Sequence, residues 1–232
     1  MTTRGDGAAW IFATTFGGGL VNGDEIQLDV NVDEDAHVLL TTQASTKVYP
    51  SPRGTANRLH ARVGSGGFFA SIPDPTVCFA GARYTQRIEV ELAPTASATI
   101  VDVLHAGRVS RGERWAMDHY RSALVVRRGQ TLIADAMILD PAHGSIAARM
   151  GRFDVLGTVV LVGPALAIAR ERIASELSAP ARGSELVISA SARDDLLLVR
   201  FAATRSELAL HRLRTLLTET TALVGDVLAR KR

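Results

Sequence analysis

Six histidines, one cysteine and a few acids in glycine-flanked segments are the residues of this chain with chemistry to offer. His37, His60, His105, His119, His143 and His211 include no pair at the i, i+4 spacing that sets two imidazoles on one helix face for zinc. His60 falls on a charged strand face and His211 in a helix, both surface positions. Asp102 and His105 stand three apart on an expected strand, so their side chains point to opposite faces. That weakens a triad, and no nucleophile elbow is present. Cys78 is the only cysteine, which excludes an intramolecular disulfide framework and a cysteine-cluster metal site.

The segment Gly17-Gly18-Gly19-Leu20-Val21-Asn22-Gly23-Asp24 resembles a phosphate loop in its glycines alone. It lacks the Lys-Ser/Thr pair and the following helix, and Asp24 would repel phosphate. A glycine-rich turn accounts for it better, leaving Asp24 as either a turn hydrogen-bonding residue or a functional acid. Three further clusters stand out: the hydroxyl-dense Thr41–Tyr49, the turn-and-strand Pro73–Ala82, and the charged loop Gly107–Glu113. They have the makings of an interior polar passage or a docking rim, with no acid/base pair of defined geometry.

The elements that must position these clusters read as strands. Ile26, Leu28, Val30 and Val32 alternate with Glu25, Gln27, Asp29 and Asn31. Leu59, Ala61 and Val63 alternate with Arg58, His60 and Arg62, and Tyr84, Ile88, Val90 and Leu92 with Arg83, Thr85, Arg87, Glu89 and Glu91. Period-two rows of this kind belong to antiparallel or solenoid-like sheets. The three stretches repeat at spacings of 31 and 29 residues. Each is followed by a polar or Gly/Pro turn and a return strand, which predicts stacked hairpin-like units. Further strands are expected at Ala8–Phe16, Ser122–Arg127, Thr131–Leu139, Phe153–Val162, Glu185–Ser191 and Leu196–Ala202. The expectation is a mainly β chain of stacked antiparallel or β-helical strands, over 8–162 and 184–203, with two α-helices in the C-terminal third. Those helices are expected over about 164–178, with Pro164 in the first turn, and over about 206–228, with Ser206 as N-cap. Leu213, Leu216, Leu217, Thr220, Val224, Val227 and Leu228 make a stripe on the second, facing the core or a partner.

The chain has 232 residues, 47% hydrophobic and 22% charged, an ordinary globular balance that suits a single domain over 1–232. A formal net charge of +2 argues against a dedicated nucleic-acid binder. Its distribution is uneven: −6 over residues 1–40, +5 over 41–150 and +3 over 151–232. Such asymmetry favours docking to partners of complementary charge. Lys47 and Lys231 are the only lysines beside 24 arginines, which sets Lys47 apart within the interior of the sequence. The apolar stretch Val155–Ala169 is broken by Gly157, Gly163 and Pro164 and is too short to span a membrane. A soluble, cytoplasmic protein is expected.

In order along the chain stand Gly18-Gly19…Gly23-Asp24, Leu39-Leu40-Thr41-Thr42, Thr46-Lys47-Val48-Tyr49, Pro73…Phe79…Ala82 and Gly107-Arg108…Gly112-Glu113. Together they resemble the UreD (UreH) family of urease accessory proteins, closely over about residues 16–140 and loosely beyond. The resemblance implies a β-helical stack and a non-enzymatic role in urease maturation. It implies binding to UreF in a 2:2 complex, recruitment of the GTPase UreG through UreF, and presentation of the assembly to the urease apoprotein. It implies no tightly bound cofactor and nickel as a transient passenger through an internal polar channel. Asp24 and Glu113 are then candidates for transient contact with nickel, and Lys47, Tyr49 and Arg108 for the channel or an interface. The usual Pro-Arg-Ile-Trp ending of the family is replaced by Ala229-Arg230-Lys231-Arg232. Two rivals are a UreD-like binding module for another metalloenzyme and a hydrolase using Asp102, His105 or Glu113.

Overall fold

The computed structural model describes residues 2–4, 7–15, 17–177, 183–226 and 228. The expected positions of Phe16, Ser178, Val227 and the 229–232 ending lie outside the described residues. The first half holds β1 (Thr2–Arg4), β2 (Ala8–Ala13), β3 (Glu25–Val32), β4 (His37–Thr42), β5 (Thr46–Val48), β6 (Thr55–Val63), β7 (Phe68–Ile72), β8 (Thr76–Cys78), β9 (Arg83–Leu92) and β10 (Ser97–His105). The second half holds β11 (His119–Arg128), β12 (Gln130–Leu139), α1 (Ile146–Met150), β13 (Val155–Val162), α2 (Ala167–Glu176), β14 (Leu186–Arg193), β15 (Leu196–Ala203), α3 (Ser206–Leu216) and α4 (Thr218–Val224).

These strands form two sheets. The ten-stranded sheet runs β1-β2-β4-β7-β10-β13-β15-β14, with β8 pairing β10 and β5 pairing β8. The five-stranded sheet runs β12-β11-β9-β6-β3. The repeat spacing is the sheet register. Leu28 pairs Leu59 and Leu59 pairs Ile88 in one sheet; Val38 pairs Phe69 and Phe69 pairs Ala98 in the other. All four pairings are parallel, which corrects the hairpin-like expectation. The two arms of a unit do not bond to each other; each bonds to its counterpart in the next unit, one in each sheet. Antiparallel pairing is kept for the flanks, where β12 joins β11 and β13, β15 and β14 follow β10.

The turns between arms explain the parting of the strands. Gly64 N–H donates to Val32 O at 2.8 Å, Ala93 N–H to Val63 O at 2.9 Å and Asp35 N–H to Ser65 O at 3.0 Å, so turns stack on turns. A Cβ on Gly64 would lie 2.8 Å from the Glu34 nitrogen, closer than any side chain tolerates. The apolar rows of β6, β9 and β11 face β4, β7 and β10, and their charged rows face outward.

The larger sheet is covered on both faces, which is why β10 and β13 are nearly continuous apolar runs. Its outer face packs Trp10, Phe68, Leu161, Ile173, Leu213 and Leu217 into a core with α2, α3 and α4. Trp10 Nε1–H donates to Val224 O at 2.6 Å, tying α4 to β2. Arg172 of α2 holds Glu219 of α4 through two bonds of 2.7 Å. The stripe from Leu213 to Val224 therefore faces the core.

Three expectations for the helices change. The helix expected over 206–228 is two, broken at Leu217. Thr218 and Thr221 bond back to the carbonyls of Thr215 and Thr218, at 3.1 and 2.8 Å, in competition with the helix. Ser206 is the first helical residue, and Arg205 occupies the cap position without a side-chain bond. The helix expected from 164 begins as a tight turn at Pro164–Leu166 before α2. The short α1 was not expected; Ser145 caps it by accepting from Ala148 N–H at 3.2 Å.

Candidate functional site

The sequence clusters converge at one end of the stack. Lys47 O accepts from Leu20 N–H at 2.8 Å, and Tyr49 N–H donates to Leu20 O at 2.9 Å, so the glycine-rich turn is laced to β5. Gly19 permits this approach: a Cβ there would lie 2.5 Å from Lys47 O and 2.9 Å from the Tyr49 ring. The Tyr49 ring stands edge-on to Phe79 with centres 5.1 Å apart. The guanidinium of Arg108 lies 4.1 Å from the centre of the Phe79 ring. Arg108 also grips Glu113 with Nε at 2.8 Å and with Nη2. Glu113 Oε2 accepts in addition from Ala80 N–H at 3.2 Å. The remaining motif joins through Thr42, whose hydroxyl accepts from Asp74 N–H at 2.8 Å.

Tyr49, Arg108 and Glu113 are thus brought together. Both Glu113 oxygens are engaged by N–H donors, and the Arg108 bonds hold its carboxyl below the usual range while Glu113 holds Arg108 above its own. Asp24 sits apart, in the turn before β3. Its Oδ2 accepts from Val21 N–H at 2.8 Å, and its own N–H donates to Val21 O at 3.0 Å. Of the two roles open to Asp24, turn bonding is the one its contacts display. Lys47 lines a cavity of about 300 Å³ at the edge of the inter-sheet space, together with Thr46 and Asn57.

From that cavity a level of polar side chains crosses the interior. Asn57 of β6, Gln86 of β9 and Ser122 of β11 are register partners, all in inward rows. Asp102 of β10 meets them from the other sheet. The Tyr84 hydroxyl, within hydrogen-bonding reach of Asn57, donates to Gln86 Oε1 at 3.2 Å. Gln86 Nε2–H donates to Ser122 Oγ at 3.2 Å, and Ser122 Oγ–H to Asp102 Oδ2 at 2.7 Å. Asp102 then forms part of the wall of a second cavity, of about 490 Å³, with Asp135 and Tyr120. Leu59, Ile88, Leu124 and Ile100 pack on one side of this level; Tyr84, Tyr120 and Leu104 pack on the other.

Burial governs the electrostatics of the level. Desolvation raises the Asp102 carboxyl above its ordinary value, partly offset by the Ser122 and Gln86 donors, and the nearby charge of Asp135 raises it further. Desolvation and Asp102 push the Cys78 thiol up to about 12, so no thiolate forms near neutral pH. Tyr84 and Tyr120 are raised for the same first reason and stay neutral. Sequence patterning missed Asn57, Gln86 and Ser122. The signal was a polar residue occupying an apolar-row position in each of three adjacent strands.

The hydrolase constellation does not assemble. Asp102 faces the other sheet, whereas His105 borders a groove beneath α3 with its Nδ1 3.0 Å from Gly107 O. Glu113 is held by Arg108. Among the described residues no group of three or more His, Cys, Asp or Glu side chains is placed to hold a metal ion. No described helix is long and apolar enough to cross a membrane.

Comparison with known proteins agrees with this arrangement. A family model described as UreD urease accessory protein matches residues 1–231. A protein of Sorangium cellulosum (strain So ce56) named urease accessory protein UreD is 50% identical over 94% of this chain and 71% of its own length. One of Anaeromyxobacter sp. (strain Fw109-5) with the same name is 45% identical over 94% of this chain and 75% of its own. A urease accessory protein D of Oryza sativa subsp. indica is 38% identical over 74% of this chain and 57% of its own. With the family matched over nearly the whole chain, and its motifs meeting at one end of a β-solenoid, this chain belongs to the UreD urease accessory protein family.

Proposed function

We propose that this chain is a non-enzymatic urease maturation factor of the cytoplasm. It links UreF, as a 2:2 complex, and through UreF the GTPase UreG, to the urease apoprotein, and it lets nickel pass through its interior to the urease active site. The names of the relatives support the maturation role. The observation that carries the passage is the polar level from Asn57 to Asp102, which connects two cavities through an otherwise apolar core.

Passage requires a weak hold at every point, since a tight site would trap the ion. The level suits that need. Its Tyr84–Gln86 and Gln86–Ser122 bonds join neutral groups at 3.2 Å, at the long end of the hydrogen-bond range, and an oxygen freed from such a bond can turn to a passing hydrated cation in exchange. Asp102 contributes one carboxylate, enough to attract a divalent cation without caging it. Asp24, Arg108 and Glu113 hold the walls at the motif-bearing end in this reading, and Tyr49 braces them through Phe79. No cofactor is tightly bound; nickel is cargo.

Co-purification with UreF, UreG and urease apoprotein tests the partner set. Recovery of one assembly containing this chain is expected. A chain that stays an indifferent monomer in the presence of all three would overturn the proposal.

A further inference from the structure

The polar level does not stop at Asp102. On the larger sheet Asp102 of β10 pairs Thr158 of β13, Thr158 pairs Arg200 of β15, and Arg200 pairs Ser189 of β14. Directly paired residues share a face of a sheet, so these four make one row that runs to the sheet's edge. All four line the cavity of about 490 Å³. The row looks toward the smaller sheet, because Leu198, two residues before Arg200, packs in the core between the sheets. There Asp135 of β12 meets it: Arg200 Nη2–H donates to Asp135 Oδ1. The pair thus ties β15 to the edge strand of the other sheet. The Arg200 side chain is 53% exposed and that of Asp135 22%, so the pair stands at the mouth of the cavity, with Asp102 behind it.

The charged residues of the lining are therefore two carboxylates, Asp102 and Asp135, and one cation, Arg200. Two carboxylates on one cavity hold a divalent cation more firmly than a passage tolerates. Arg200 offsets the second of them and adds a positive charge at the mouth. An ion pair this exposed is weak enough to open, and the guanidinium on its long stem can swing into water. We propose that Arg200 is a tethered counter-cation: it occupies Asp135 while the cavity is empty, yields it to an entering nickel ion, and reclaims it as the ion leaves. The inference rests on the passage reading and supplies what keeps the second carboxylate from trapping the cargo.

Calorimetric titration of the untagged 232-residue chain with nickel chloride tests it, with neither urease nor a partner protein present. Arg200→Met keeps an unbranched stem and removes the charge. Its nickel affinity should rise by about tenfold or more, because a unit charge a few ångströms away no longer opposes the ion. Adding Asp135→Asn to that variant should abolish the gain. Nickel held by histidines elsewhere is common to every variant and cancels in the comparison. Unchanged affinity in a folded Arg200→Met would overturn the proposal, and so would a gain that survives Asp135→Asn. If Arg200→Met does not fold, Asp135→Asn alone decides. Arg200 then stands unpaired before Asp102, nickel affinity should fall by about tenfold, and wild-type affinity would overturn the proposal. Failure here strikes the role of Arg200 alone; the nickel content of urease matured with Asp102→Asn tests the passage itself.

Discussion

Ser122 donates its hydroxyl hydrogen to the Asp102 carboxylate over 2.7 Å, and this bond joins the inward faces of two different sheets. Gln86 stands behind Ser122 and Asp135 stands before Asp102, so the pair lies at the centre of the polar level. The chemistry proposed for the interior depends on this crossing.

The pair has a pH signature. Burial raises the Asp102 carboxyl, so the folded chain keeps a proton that the unfolded chain has released. Stability from this group therefore declines as pH rises from the ordinary value of about 3.9 through the raised folded value. Asp102→Asn removes that decline, so across the acid range the urea midpoint of the variant should gain on that of the wild type as pH rises. Glu113 acts in the opposite sense: its lowered carboxyl contributes stability above about 4.3, lost as pH falls through its folded value. Because Glu113 is common to both proteins, the difference between the two curves isolates Asp102. An unchanged slope would mean that Asp102 is solvated.

Gly107→Ala should destabilise the chain by roughly 2–4 kcal/mol. Gly107 has φ +99°, and an added Cβ would lie 2.5 Å from Glu113 O and 2.8 Å from Cys78 O, both backbone atoms with little freedom to retreat. Thermal unfolding checks it, and a wild-type midpoint would show that the Gly107–Glu113 loop can be re-seated freely.

Asp24→Ala and Glu113→Ala should lower stability, complex assembly and nickel delivery together, because the first loosens a turn and the second frees Arg108 from its brace. Arg108→Lys should behave like Glu113→Ala, since an ammonium cannot make the paired bonds of a guanidinium. Gel filtration of the accessory complex, run beside nickel analysis of urease, separates the effects. Loss of nickel with full assembly would place either acid on the route itself.

Leu213→Ala should cost about 2–5 kcal/mol, as expected for truncating a buried leucine. Denaturant titration measures it. A cost near zero would mean that α3 is not seated on the larger sheet.

Much of the fold was legible because the period-two rows carry both strand identity and pairing. The spacings of 31 and 29 residues became the parallel register from Leu28 to Leu59 to Ile88. What the rows cannot say is which strand an arm bonds to. An amphipathic arm satisfies its apolar face in a hairpin or in a two-sheet solenoid alike, and the stacked turns around Gly64 decide the matter. The break at Leu217 was hidden because its apolar stripe continues smoothly across it. The motif residues Tyr49, Arg108 and Glu113 were legible as a group, but their contact through Phe79 is long-range. The polar level was the least legible. A single Gln86 or Ser122 in an apolar row reads as an irregularity until register places it beside Asn57 and opposite Asp102.

The most direct test of the account is the nickel content of urease matured with the Asp102→Asn chain, measured beside the recovery of the accessory complex. Removing the one carboxylate of the level should leave assembly unchanged and lower nickel occupancy by roughly tenfold, the effect of a barrier raised by about 1.4 kcal/mol. Wild-type occupancy with the complex intact would contradict it.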